Sequence, residues 1–166
     1  MSEGALPSAL FIAFLVVQRL AELAIARRNT RRLLARGAVE HGARHYPLIV
    51  ALHAGWLVCI AVFGWGRPVQ PLFLALFVVL QVLRVWILAT LGRRWTTRII
   101  VTGEPLVRRG PFRWLRHPNY TLVVAEIAVA PLVLGLTWVA VLFSVLNAAV
   151  LWIRIRAENA ALHGGR

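Results

Sequence analysis

Five apolar runs, separated by arginine-rich or proline- and glycine-broken segments, constrain this chain more than any other feature. They are Leu6–Ala26, Pro47–Phe63, Pro71–Leu91, Tyr120–Leu134 and Leu136–Ile153. A helix needs about 20 apolar residues, within a range of about 17–25, to cross the hydrocarbon core of a bilayer. Backbone placed in lipid must also satisfy its own hydrogen bonds, which favours helices. Each run therefore predicts a membrane-crossing helix. The fourth is short, and only the stretch from Pro131 to Thr137 parts it from the fifth. Those two are predicted to form a tight hairpin, with Pro131 kinking or ending its first arm. The expected fold class is all-α: a polytopic integral membrane protein with about five transmembrane helices, in a single domain over residues 1–166.

Composition agrees. The chain is 60% hydrophobic and 15% charged, with mean hydropathy +0.73, whereas soluble domains carry about a quarter charged residues. A net charge of +13 would suit nucleic acid, but the basic residues sit between the spans and leave no soluble recognition module. No nucleic-acid partner is expected. Cys59, the one cysteine, excludes an internal disulfide or a cysteine zinc site, and no metal set is expected. The first run lacks a basic lead and a small-residue cleavage site, so it reads as a retained span and not a signal peptide.

Charge predicts orientation. Segment 27–44 carries six Arg and segment 92–117 carries seven, while Arg67 stands alone on the other side. By the positive-inside rule the N-terminus lies outside and the C-terminus in the cytosol, as in a bacterial inner membrane. Arg19, Glu22, His53, Gln81, Arg84, Glu126 and Asn147 lie inside spans, within about ten residues of a cytosolic end, or about 15 Å. Ionisable groups at such depth pair with one another or face a cavity. Together they predict a polar pocket in the cytosolic half.

Two polar clusters flank the last two spans. The first, GPFRWLRHPNY (Gly110 to Tyr120), leads into the fourth run; Pro118 suits the first turn of a helix and holds His117 and Tyr120 at the boundary. Trp114 and Phe112 are ordinary interfacial anchors by residue type. The second, Arg154-Ile-Arg156-Ala-Glu158-Asn159, reads as the fifth helix continuing out of the membrane. Arg154 and Glu158, four apart, can pair there, and Leu162 can pack on the other spans.

These clusters together resemble the isoprenylcysteine carboxyl methyltransferase family of integral membrane enzymes. The likeness covers roughly Leu91 to Leu162: the Gly-Pro-aromatic-Arg lead-in, RHPNY, a hairpin, and an Arg followed by Glu158, Asn159 and Leu162. The stretch LGRRWTTRIIVTGEPLVRRGPFRWLRHPNY looks most like small bacterial members, some of which methylate alkylpyrones or phenolic lipids. The resemblance implies S-adenosylmethionine as cofactor, enclosed by the C-terminal hairpin, and a lipophilic acceptor entering from the membrane. Carried onto this sequence, His117, Pro118, Tyr120, Glu158, Arg116 and Trp114 form the cofactor set. Arg154 faces the acceptor oxygen. By its chemistry, a phenol acceptor would also need a proton acceptor, for which Glu126 and His117 are the candidates. Asn159, the third catalytic candidate beside Arg154 and Glu126, stands where the family usually has a second acidic residue, so the prenylcysteine reaction does not carry over simply.

Such residues suit the chemistry. Methyl transfer from a sulfonium needs alignment and a stabilised oxyanion, charge-assisted hydrogen bonds from Arg154 supply the latter, and Tyr120, Trp114 and Phe112 offer cation–π faces. The alternatives are a phospholipid N-methyltransferase, an NADPH-dependent membrane reductase, or a small transporter or assembly protein. A transporter should carry polar residues through the whole membrane thickness or an inverted repeat.

Overall fold

The computed structural model describes residues 5–115 and 117–163, the side chains of Leu162 and His163 excepted. Five helices carry the fold: α1 (Ala5–Leu34), α2 (Tyr46–Gly64), α3 (Pro71–Leu91), α4 (Pro118–Val133) and α5 (Thr137–His163). The all-α membrane fold is as expected, and α3 has the predicted bounds. Among the described residues, four helices are long and apolar enough to cross a membrane; α4 is not. Its 16 residues span only about 24 Å, short of the roughly 30 Å hydrocarbon core.

α4 tolerates its length because it is the most enclosed helix. It packs against α3 and α5 and touches α2, and Glu126, Ile127 and Ala130 are fully buried. The lipid-facing work falls to the others, where Leu10, Val17, Val62, Val82, Val85 and Val145 are 63–68% exposed. An apolar belt of this kind on a monomer needs a lipid or protein cover.

Pro131 does not break α4 where it stands. Proline withholds the N–H that residue i−4 would accept, here at the Ile127 carbonyl. The buried Trp56 indole of α2 donates to that oxygen instead, at 3.2 Å, so the helix runs on to Val133. It then closes in a Schellman turn: Leu136 N–H bonds Pro131 O at 3.0 Å, Gly135 N–H bonds Leu132 O at 3.0 Å, and Gly135 takes φ +66°. A side chain at that left-handed position costs about 1–2 kcal/mol. Gly135→Ala should accordingly lower the thermal unfolding midpoint in detergent, and an unchanged midpoint would contradict the turn.

At the opposite, arginine-rich end two departures appear. α1 continues eight residues past the predicted Ala26, because Arg is a good helix former and Asn29 is buried there, its amide donating to Trp95 O at 2.8 Å and Gly92 O at 3.2 Å. That clamp ties α1 to the segment after α3. The connecting segments also form a small antiparallel sheet, β1 (Val39–His41) with β2 (Ile99–Val101), in the register Glu40↔Ile100. Arg98 closes it on Glu40 at 2.9 and 3.0 Å. Three-residue strands carry too little periodicity to be read from sequence.

Candidate functional site

A cavity of about 310 Å³ opens among all five helices and the segment 95–97. Its upper rim, at the arginine-rich end, holds Tyr46, Thr97, Asn119, Tyr120 and Arg154. Apolar walls follow from Ile49, Val50, Val123, Val150 and Leu151, and Arg19, Glu22, His53, Arg84 and Asn147 lie at its deeper end. Of the seven polar residues expected in one pocket, these five line it, and Gln81 and Glu126 do not; every helix contributes to the wall.

At the rim, the two sequence clusters meet. Pro118 is buried at the first turn of α4, which brings Tyr120 against the last turns of α5. The Tyr120 hydroxyl donates to Glu158 Oε2 and accepts from Arg154 Nε at 2.8 Å. Arg154 and Glu158, which their spacing would let pair across one helical turn, are linked through this phenol. His117 stacks on the Tyr120 ring, with centroids 5.3 Å apart and planes at 17°, and the Arg154 guanidinium lies 5.4 Å from the centre of the same ring. Arg154 is a buried arginine that lines the cavity, and among the described residues only its Nε is committed to a hydrogen bond.

The other predicted residues are dispersed. Asn159 follows Glu158 on α5 and is half-buried. Trp114 stands outside the cluster: it is 71% exposed and packs edge-on against Trp86 of α3, centroids 6.0 Å apart. Phe112 is half-buried. Arg116 lies outside the described residues, as does the side chain of Leu162.

Glu126, six residues below Tyr120 on α4, is fully buried behind Arg19 and Arg84 rather than on the cavity wall, and both its oxygens are taken. It accepts from Arg84 Nε at 2.7 Å and from Arg84 Nη2, from Arg19 Nη2 at 2.7 Å and from Gln81 at 3.1 Å. Glu22 accepts from Arg19 at 2.9 Å, Arg84 at 3.3 Å and Gln18 at 3.0 Å. Two guanidiniums and two carboxylates thus cancel, joining α1, α3 and α4, which is how such groups are accommodated in a membrane interior. A carboxylate so paired is a counter-ion and not a free base.

Sequence reasoning missed Tyr46 and Thr97, whose hydroxyls lie 3.0 Å apart at the rim, with Arg98 4.7 Å from the centre of the Tyr46 ring. The available signal was Tyr46-Pro47, an aromatic beside a helix-opening proline, as in Pro118-Asn119-Tyr120.

Residues 73–164 match the Isoprenylcysteine carboxyl methyltransferase (ICMT) family. An uncharacterized protein of Bacillus subtilis, YpbQ, is 40% identical over 159 residues, 92% of this chain and 95% of that protein. An uncharacterized protein of Haemophilus influenzae is 23% identical over 157 residues, 90% of this chain and 91% of that one. No solved structure matches significantly. Built of long apolar helices and matching over more than half its length, the chain belongs to the isoprenylcysteine carboxyl methyltransferase family of integral membrane methyltransferases.

Proposed function

We propose that the protein is an S-adenosylmethionine-dependent O-methyltransferase that acts on a lipophilic acceptor at the cytosolic face of the bacterial inner membrane, with its C-terminus in the cytosol. The observation that carries this reading is the hydrogen-bonded chain Arg154–Tyr120–Glu158 on the rim of an apolar-walled cavity. It joins a cation suited to an acceptor oxygen to a carboxylate suited to a cofactor's hydroxyl or ammonium groups.

The residues fit that cofactor by their chemistry. Glu158 offers an anionic acceptor, and the stacked His117 and Tyr120 rings offer a flat face for a base or a sulfonium. When bound, S-adenosylmethionine supplies an electrophilic methyl group on sulfur. The protein's share is to bind, orient and dry the reactants. Arg154 holds the acceptor oxygen as an anion through its terminal guanidinium nitrogens. Tyr120 fixes the guanidinium plane, the apolar wall takes the acceptor's chain, and Pro118 sets the start of α4. Asn159 and Arg116 remain members of the proposed site by position alone. Glu126 neutralises Arg19 and Arg84 in this scheme, and His117 is the remaining rim candidate for proton acceptor.

Titration calorimetry with S-adenosylhomocysteine checks the assignment. Glu158→Ala removes a charged acceptor and should weaken binding about tenfold or more; His117→Ala removes a stacking face and should weaken it several-fold. Unchanged affinity in both would refute the cofactor set, and heat from NADPH but none from the homocysteine would redirect it to a reductase.

A further inference from the structure

The cavity is polar at both ends, and the two ends are separated by a regular distance. On α2 the rim residue Tyr46 and the deep residue His53 are seven apart; on α5 Arg154 and Asn147 are seven apart. At 1.5 Å per residue each pair spans about 10 Å along its helix. Ile49 and Val50 lie between on α2, and Val150 and Leu151 on α5. No polar side chain from these two helices interrupts the wall.

The deep end contains hydrogen-bonding capacity that the protein does not use. Asn147 is 2% exposed and its Nδ2 has no partner among the described residues; nor has Nε of Arg19. His53 Nδ1 lies 2.9 Å from the Ile49 carbonyl. A carbonyl only accepts, so Nδ1 carries the proton and Nε2 of this half-buried, cavity-lining ring presents a lone pair. Buried polar groups are almost always satisfied, and those left over need an explanation. Charge is not what is missing, because Arg19, Arg84, Glu22 and Glu126 already balance. A neutral group that both donates and accepts would complete the set.

We infer that the acceptor is two-ended: an oxygen beside Arg154 and, about 10 Å deeper, an uncharged hydroxyl that accepts from Asn147 Nδ2 and donates to His53 Nε2. This rests on the methyltransferase reading only for the role of the rim oxygen. A purely alkyl chain of the same length would leave both deep groups unpaired.

The test compares 8-hydroxyoctanoate with octanoate, titrated by tryptophan fluorescence into the full-length protein in nanodiscs. An extended eight-carbon chain places its two ends roughly 10 Å apart, at about 1.2 Å per bond. The hydroxylated probe should bind about tenfold more tightly. Asn147→Leu and His53→Phe should each abolish that advantage while octanoate binds as well as before. S-adenosylhomocysteine affinity, unchanged in both variants, reports that they are folded. Equal affinity of the two probes for the native protein, or a preference that survives both substitutions, overturns the inference. Preference without any binding of S-adenosylhomocysteine would remove the methyl-transfer reading and leave the two-ended cavity standing.

Discussion

Glu126→Ala is expected to destabilise the protein by about 3–5 kcal/mol, because it strands two guanidiniums in the interior. Arg84 is almost fully buried and directs two of its nitrogens at this carboxylate; Arg19 directs another. Glu22 remains, but one carboxylate cannot balance both cations. The result to look for is loss of folded protein on extraction and a large fall in the unfolding midpoint. Arg84→Met combined with Glu126→Leu removes one charge of each sign and leaves Arg19 with Glu22, so it should recover most of the stability. If Glu126→Ala unfolds at the native temperature yet loses all methyl transfer, the counter-ion role is wrong and a direct chemical role returns.

Arg154→Ala should lower turnover by about 10²–10³-fold, the usual effect of removing one preorganised donor to a developing oxyanion. Binding of S-adenosylhomocysteine should change little, since Glu158 and the His117–Tyr120 stack persist. Arg154→Lys should recover only part of the rate: it restores the charge but not the planar fork or the Nε–H that Tyr120 accepts. A loss of cofactor affinity equal to the loss of turnover would move Arg154 from the acceptor side to the cofactor side. Tyr120→Phe separates the two functions further, because it releases Arg154 and Glu158 from their shared anchor without removing either.

Much of the architecture was legible because membrane helices are written in one dimension. Pro71 to Leu91 is apolar but for Gln81, Arg84 and Thr90 and is bounded by Pro and Gly, so its limits needed no tertiary knowledge. The meeting of Tyr120 with Arg154 and Glu158 was foreseeable once the fourth and fifth runs were read as a hairpin. The direct Arg154–Glu158 pair was foreseeable too, and did not form: helix spacing allows it, but a phenol from the neighbouring helix competes for both partners. Trp114 had the residue type of a cofactor face and the sequence neighbours of one, yet it is exposed and packs on Trp86 of α3.

Length, apolar runs and the placement of arginine were enough, by themselves, to determine a polytopic helical bundle with its polar groups gathered toward one end, since the bilayer imposes its thickness and its intolerance of unpaired charge on any chain that crosses it. Only the tertiary structure decided which carboxylate became a buried counter-ion, how Trp56 lets α4 run past Pro131, and that five helices leave a chamber with unused donors at its base. Those outcomes depend on distances between residues far apart in the chain, which sequence periodicity does not encode.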